Sequence, residues 1–214
     1  MRTEKAGTGI SRTQFSWSIW QGLSQTLPKI APVIELKVIA IQSSANTDGL
    51  TASLAISVLK GVEYEGGETE LIHLNKMNIK QCVACDRGWG QCREGTCILV
   101  DDFEGIRRRM SQADALVFAT PVYFGDLSES AKMFLDRLRR VEAFSNRDTF
   151  KGKKAVGIAA AGGGGGGAAR ALTNLDSYLR ITKYDVFDLV PVTKFSKDHI
   201  LPMLERAGRR LVRG

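Results

Sequence analysis

From residue 35 onward, short apolar runs rich in β-branched residues alternate with stretches whose apolar positions recur every three or four residues. A run of the first kind predicts a buried strand and a stretch of the second kind predicts a helix. Residues 36–41 are the first strand, and 49–61 a helix with Leu54, Val58 and Leu59 on one face. Residues 69–74 are a second strand, followed by a long loop over 75–100. A helix over 101–112 follows, with Asp101 and Asp102 suited to its positive N-terminal end. Residues 115–120 are a third strand, and 127–141 a helix for which Ser128 or Asp126 can act as cap. A fourth strand over 154–160 leads into a run of glycines and a helix over 168–179. A fifth strand over 184–190 precedes a closing helix over 198–212, with Pro202 expected in its first turn.

Five strands alternating with five helices imply a parallel sheet covered on both faces. Right-handed crossovers leave few orders, and five strands suit the flavodoxin-like order 2-1-3-4-5, a three-layer α/β sandwich. In such a sheet the ligand lies beyond the carboxyl ends of the strands. The loops after strands one, three and four are therefore expected to hold the site.

Residues 1–34 differ from this pattern and are set apart from a domain over 35–214. They carry Phe15, Trp17 and Trp20 among polar residues, then Pro28 and Pro32. Two readings stand: a plain tail, or an arm that anchors its aromatics on a partner subunit. The chain has no apolar run near the ~20 residues of a membrane helix and no apolar leader after Met1, so a cytoplasmic place with no membrane contact is expected. The net charge is +7, and the arginines at 107–109, 137–140 and 206–213 form no single block and all fall on predicted helices. They read as solvated helix faces, or as attraction for anionic nucleotides. No nucleic-acid-binding motif accompanies them.

Three loops carry the candidate chemistry. The first contains Ser43, Ser44, Asn46, Gly49, Leu50 and Thr51 and opens a helix, where backbone N–H groups attract phosphate. The same residues also make an ordinary capping turn. The loop is neither a Walker sequence nor a GxGxxG fingerprint. The second contains Pro121, Val122, Tyr123, Phe124 and Gly125, where two aromatics offer contact to a planar ring or fill the core. The third holds six successive glycines, among them Gly162, Gly163 and Gly164, which let the backbone run against a flat ligand or act as a linker. His73 and His199 fall outside these loops and read as structural.

The stretch from Thr120 to Ser128, continuing through Lys132, Asp136 and Arg137, resembles the NADPH-dependent FMN reductase and iron–sulfur flavoprotein family. So do Cys82-x-x-Cys85 and the run from Cys97 to Asp102. The resemblance spans roughly residues 36–190. It implies a flavodoxin-like fold, FMN bound without a covalent link, and a homodimer or homotetramer. It also implies electrons passed from NAD(P)H to an acceptor. The first loop then holds the FMN phosphate and the second lines the isoalloxazine. Many relatives have Arg where this chain has Asn46 and Gly where it has Ser43.

All four cysteines fall in a cysteine-rich loop over 78–100, spaced C-x2-C-x6-C-x4-C. Clustered thiols outside an oxidising compartment point to metal or redox use. In the iron–sulfur flavoproteins four such cysteines hold a [4Fe–4S] cluster, which would make the chain an electron carrier with a redox protein partner. The third cysteine of that motif usually falls where Gly88 stands here, so Cys92 would have to be displaced to join Cys82, Cys85 and Cys97. Free thiols in a relative without a cluster are a second reading. Zinc on a flavin-free interaction module is a third.

Overall fold

The computed structural model of the chain describes residues 36–88, 90–145 and 147–213. The aromatic arm expected at 1–34 lies outside them. Five parallel strands stand in the order β2-β1-β3-β4-β5. They are β1 (Lys37–Gln42), β2 (Glu68–His73), β3 (Ala115–Pro121), β4 (Lys154–Ala161) and β5 (Asp185–Thr193). The flavodoxin-like order expected from the pattern is the one observed.

Each strand alternates its side chains between two helix layers, as a period of two demands. Ile39, Ile41, Leu116 and Phe118 face a core completed by Phe103, Ile106, Phe134, Leu138 and Leu175. Those partners come from α3 (Phe103–Gln112), α4 (Glu129–Ala143) and α5 (Ala168–Ile181). Val38, Ala40, Val117, Val156 and Ile158 face the opposite way, onto Leu54, Val58, Leu204 and Leu211. These belong to α1 (Leu50–Tyr64) and α6 (Lys197–Arg213). The two outer helices meet backbone to backbone: a Cβ on Gly208 would stand 2.0 Å from the Val58 carbonyl oxygen.

Several expectations need correction. The segment 75–100 is not loop throughout. It contains the turn α2 (Cys85–Gly88) and a 3-10 turn at Gln91–Glu94, and another 3-10 turn spans Leu74–Lys76. α6 starts at Lys197, so Pro202 lies inside the helix rather than in its first turn. β5 continues to Thr193 through an exposed Pro191. A proline is tolerated there because β5 is an edge strand with one side unpaired. The arginines at 107–109 and 137–140 are not all solvated: Arg107 and Arg137 are buried. Arg107 is paired with Glu104 and Glu142, and Arg137 with Asp101.

Candidate functional site

Parallel pairing brings the carboxyl ends of β1, β3 and β4 to one edge, since Gln42 aligns with Ala119 and Pro121 with Ala160. The loops that follow are held together by polar contacts at Ser43. Ser43 is fully buried, and both its N–H (3.0 Å) and its hydroxyl (3.3 Å) donate to the Ala119 carbonyl. Its own carbonyl accepts from Asn75 Nδ2 (2.8 Å) and Ser130 Oγ (2.9 Å), and Ser128 Oγ lies 3.1 Å away. Ser43 therefore anchors its loop and does not turn its hydroxyl to the surface.

The remaining first-loop residues fold around the start of α1. Ser44 N–H donates to Gln42 Oε1 (2.8 Å), and Gln42 Nε2 meets His73 Nδ1 at 2.7 Å, which gives His73 its structural place. Asn46 N–H donates to Ser44 Oγ (3.2 Å), and Asp48 N–H to Asn46 Oδ1 (3.3 Å). Asn46 is exposed, Gly49 and Leu50 are half-buried, and Ser44 and Thr51 are buried. The cap of α1 is Gly49, with no side-chain cap hydrogen bond. The helix thus opens without a side chain of its own across its first N–H groups, which suits an anion.

After β3, Val122 N–H donates to the Ala160 carbonyl (2.9 Å), tying this loop to β4. Tyr123 and Asp126 then exchange two backbone hydrogen bonds of 3.0 Å. The two residues between them, Phe124 (φ 50°) and Gly125 (φ 80°), both have positive φ, as a type I′ turn requires. Glycine takes that conformation freely, but phenylalanine is strained in it. Phe124 is also 105% exposed and Tyr123 43%, so neither fills the core. Asp126 fixes the turn by accepting from Leu127 N–H (2.7 Å) and Asn174 Nδ2 (2.8 Å). Those two hydrogen bonds hold its carboxyl below the ordinary range, and burial only partly opposes them. Ser128 caps α4 by accepting from Ala131 N–H.

The glycine run completes the edge. Gly162, Gly163 and Gly164 are exposed, and a Cβ on any of them would meet nothing within 4 Å. Gly167, by contrast, lies directly against Gly125.

A second constellation sits on the cysteine loop. Cys82, Cys85, Cys92 and Cys97 all line one cavity of about 20 Å3, walled by Ile98 and Val141 and by Arg137 and Arg140 of α4. The 3-10 turn at Gln91–Glu94 brings Cys92 to the other three, which compensates for its late position in the sequence. Ala84, Asp86 and Arg87 around Cys85 all take positive φ, and a Cβ on Gly90 would stand 2.7 Å from Cys85 Sγ. Strain of this kind concentrates at functional sites. Among the described residues, no three His, Cys, Asp or Glu side chains close on the position of a single ion.

Arg137 joins this loop to the core, a role that no spacing rule marks. Its Nη1 donates to Asp101 Oδ2 (2.5 Å) and to the Lys80 carbonyl (3.0 Å). Its Nη2 donates to Asp101 Oδ1 (3.0 Å) and Cys97 Sγ (3.3 Å), and the guanidinium stacks 4.3 Å from the Phe103 ring centre. Burial disfavours its charge, yet Asp101 and Cys97 together raise it above the ordinary arginine value. Asp101 also accepts from Phe103 N–H (3.1 Å), so it, rather than Asp102, satisfies the start of α3.

Strand order, site edge and loops define a flavodoxin-like α/β domain. A model of the NADPH-dependent FMN reductase family matches residues 36–191, and the chain belongs to that family. An iron-sulfur flavoprotein of Methanocaldococcus jannaschii is 36% identical over 57% of this chain and 62% of its own length. An iron-sulfur flavoprotein of Archaeoglobus fulgidus is 30% identical over 55% of this chain and 51% of its own. The chain thus spans between half and two thirds of these relatives. Among solved structures, an NAD(P)H:quinone oxidoreductase from Methanothermobacter marburgensis superposes with a TM-score of 0.66 at 21% identity. That match covers 83% of this chain and 96% of the other, a likeness of fold.

Proposed function

We propose that the chain binds FMN at the carboxyl ends of β1, β3 and β4 and acts as an FMN-dependent oxidoreductase, passing electrons from NAD(P)H to an acceptor. FMN supplies the hydride and electron chemistry when bound, so no catalytic side chain is required of the protein. Ser44, Asn46, Gly49, Leu50 and Thr51 would receive the phosphate. Pro121, Val122, Tyr123, Phe124 and Gly125 would line the ring, and Gly162, Gly163 and Gly164 would border it, with Ser43 holding the first two loops together. The observation that carries this reading is Phe124, strained at φ 50° with its whole side chain in solvent. A large aromatic kept there without packing suits a planar ligand or a second copy of the chain. Homodimeric or homotetrameric assembly fits the same surface. The test is titration of the flavin-free protein with FMN, followed by oxidation of NADPH and NADH. A yellow protein that oxidises either is expected, and a chain that takes up no FMN overturns the reading.

A second reading is favoured by the single cavity that all four thiols line. It makes the protein an iron–sulfur flavoprotein electron carrier with a redox protein partner, and two similar proteins carry that name. The donors suit the group, since four cysteine thiolates are the ligands of a [4Fe–4S] cluster. The volume does not suit it as it stands, because about 20 Å3 is close to one water molecule. Loading would require the loop to open, and Gly88, Gly90 and Gly95 give it the freedom to do so. Iron and sulfide assays on protein purified without air test this reading.

A further inference from the structure

We propose that the cysteine loop is a metal-free dithiol site, in which Cys85 and Cys92 form a reversible disulfide by exchange with a low-molecular-weight disulfide. The inference goes beyond the FMN reading and competes with the iron–sulfur reading for the same thiols. A cavity of about 20 Å3 has no room for a cluster, but thiols around so small a void need move little to meet. Gly90 brings two of them together. With Asp86 and Arg87 at positive φ, the chain turns back tightly. A Cβ on Gly90 would stand 2.7 Å from Cys85 Sγ and 3.4 Å from the Cys85 carbonyl oxygen. On its other side the Gly90 carbonyl accepts from the Cys92 thiol at 3.6 Å. Both sulfurs therefore lie against one residue. Cys97 is engaged elsewhere, since its sulfur accepts from Arg137 Nη2 (3.3 Å). Cys85 is half-buried and Cys92 only 8% exposed, so an external disulfide reaches Cys85 first. Attack by Cys85 breaks the external S–S bond. One half stays on Cys85 as a mixed disulfide, and the other leaves as a thiol with the Cys85 proton. Cys92 then attacks Cys85 Sγ, the Cys85–Cys92 bond forms, and the second half leaves as a thiol with the Cys92 proton. The two cysteines lose two electrons, and the external disulfide gains them.

The test incubates the full chain, freed of reductant without air, in glutathione buffers of rising disulfide content. Remaining thiols are alkylated, and the peptides are mapped by mass spectrometry. Wild type is expected to lose two of its four thiols, to link Cys85 to Cys92 without retaining glutathione, and to regain both thiols with dithiothreitol. Cys92→Ser should stop at the first step, with one glutathione on Cys85. Cys82→Ser should form the bond as wild type does. Gly90→Ala keeps all four thiols but turns Cys85 Sγ away, so the bond should form about tenfold more slowly or worse. Circular dichroism checks the fold of each variant. Four alkylatable thiols in every buffer overturn the proposal, as does a bond mapped to another pair or a Gly90→Ala rate equal to wild type. The wild-type map decides the matter if a variant does not fold. Wild type that takes up ferrous iron and sulfide without air, and thereby shields all four thiols from alkylation, also overturns it.

Discussion

Gly167 and Gly125 touch backbone to backbone: a Cβ on Gly167 would stand 2.3 Å from Gly125 Cα. The contact locks the loop after β4 onto the turn after β3, and both glycines have positive φ, 89° and 80°. Gly167→Ala adds left-handed strain of about 1–2 kcal/mol and forces the two loops apart. The core strands lie away from this contact, so the fold should survive. FMN affinity should fall by about tenfold or more, the equivalent of at least about 1.4 kcal/mol. Fluorescence titration with FMN measures the loss, and an affinity equal to wild type would show that the two loops need not meet.

Phe124 separates stability from binding. It is strained and buries nothing in the described chain, so Phe124→Gly relieves strain while giving the unfolded chain more freedom. The two effects oppose, and the thermal midpoint of the flavin-free protein should move by no more than about 1 kcal/mol equivalent. FMN binding should weaken clearly. A large loss of stability would mean that Phe124 packs on something within its own chain.

The strands were legible because a doubly covered parallel sheet writes near-continuous apolar runs such as Ala115–Pro121. The site edge was legible because strand order dictates which loops meet. What could not be read is how side chains spend their hydrogen bonds. Ser43 looks like a ligand-facing hydroxyl in sequence, yet its neighbours Ser128, Ser130 and Asn75 arrive from distant segments. Arg137 looks like one more cation in a basic helix. Its burial follows from Asp101, 36 residues earlier, and no local spacing announces such a pair. The turn at Cys85–Gly88 escapes the sequence because it depends on left-handed residues, Asp86 and Arg87, which propensity does not favour there.

Ser128 links the fold to the site. Its hydroxyl accepts from Ala131 N–H as the cap of α4 and lies 2.9 Å from Ser43 Oγ. Ser128→Ala removes the cap, at about 1 kcal/mol, and leaves buried polar groups of Ser43 with fewer partners, at about 1–3 kcal/mol more. Ser130→Ala is the milder control, since Asn75 still reaches the Ser43 carbonyl. Urea unfolding of the flavin-free variants should rank wild type above Ser130→Ala and Ser130→Ala above Ser128→Ala. The reverse order would remove Ser128 from its linking role.

The Asp101–Arg137 pair predicts a pH dependence with a defined sign. Burial pushes the Asp101 carboxyl up, but hydrogen bonds from Arg137 and from Lys80 and Phe103 N–H outweigh it and leave the carboxyl below its ordinary value of 3.8. A carboxyl lowered on folding contributes stability that is complete above its unfolded value and lost as pH falls through the folded one. Asp101→Asn leaves the buried Arg137 charge without its carboxylate counter-charge, which costs about 3–5 kcal/mol at neutral pH. As pH falls below about 4, Asp101 takes up its proton first in the unfolded chain and only at lower pH in the folded one, so the gap between wild type and variant should narrow progressively. Urea unfolding at pH 7, 4 and 2.5 follows that gap. Other lowered carboxyls, Asp126, Asp136 and Asp148, are common to both proteins and cancel in the difference. A gap that stays constant down to pH 2.5 would mean that Asp101 does not carry its charge against Arg137 in the folded chain.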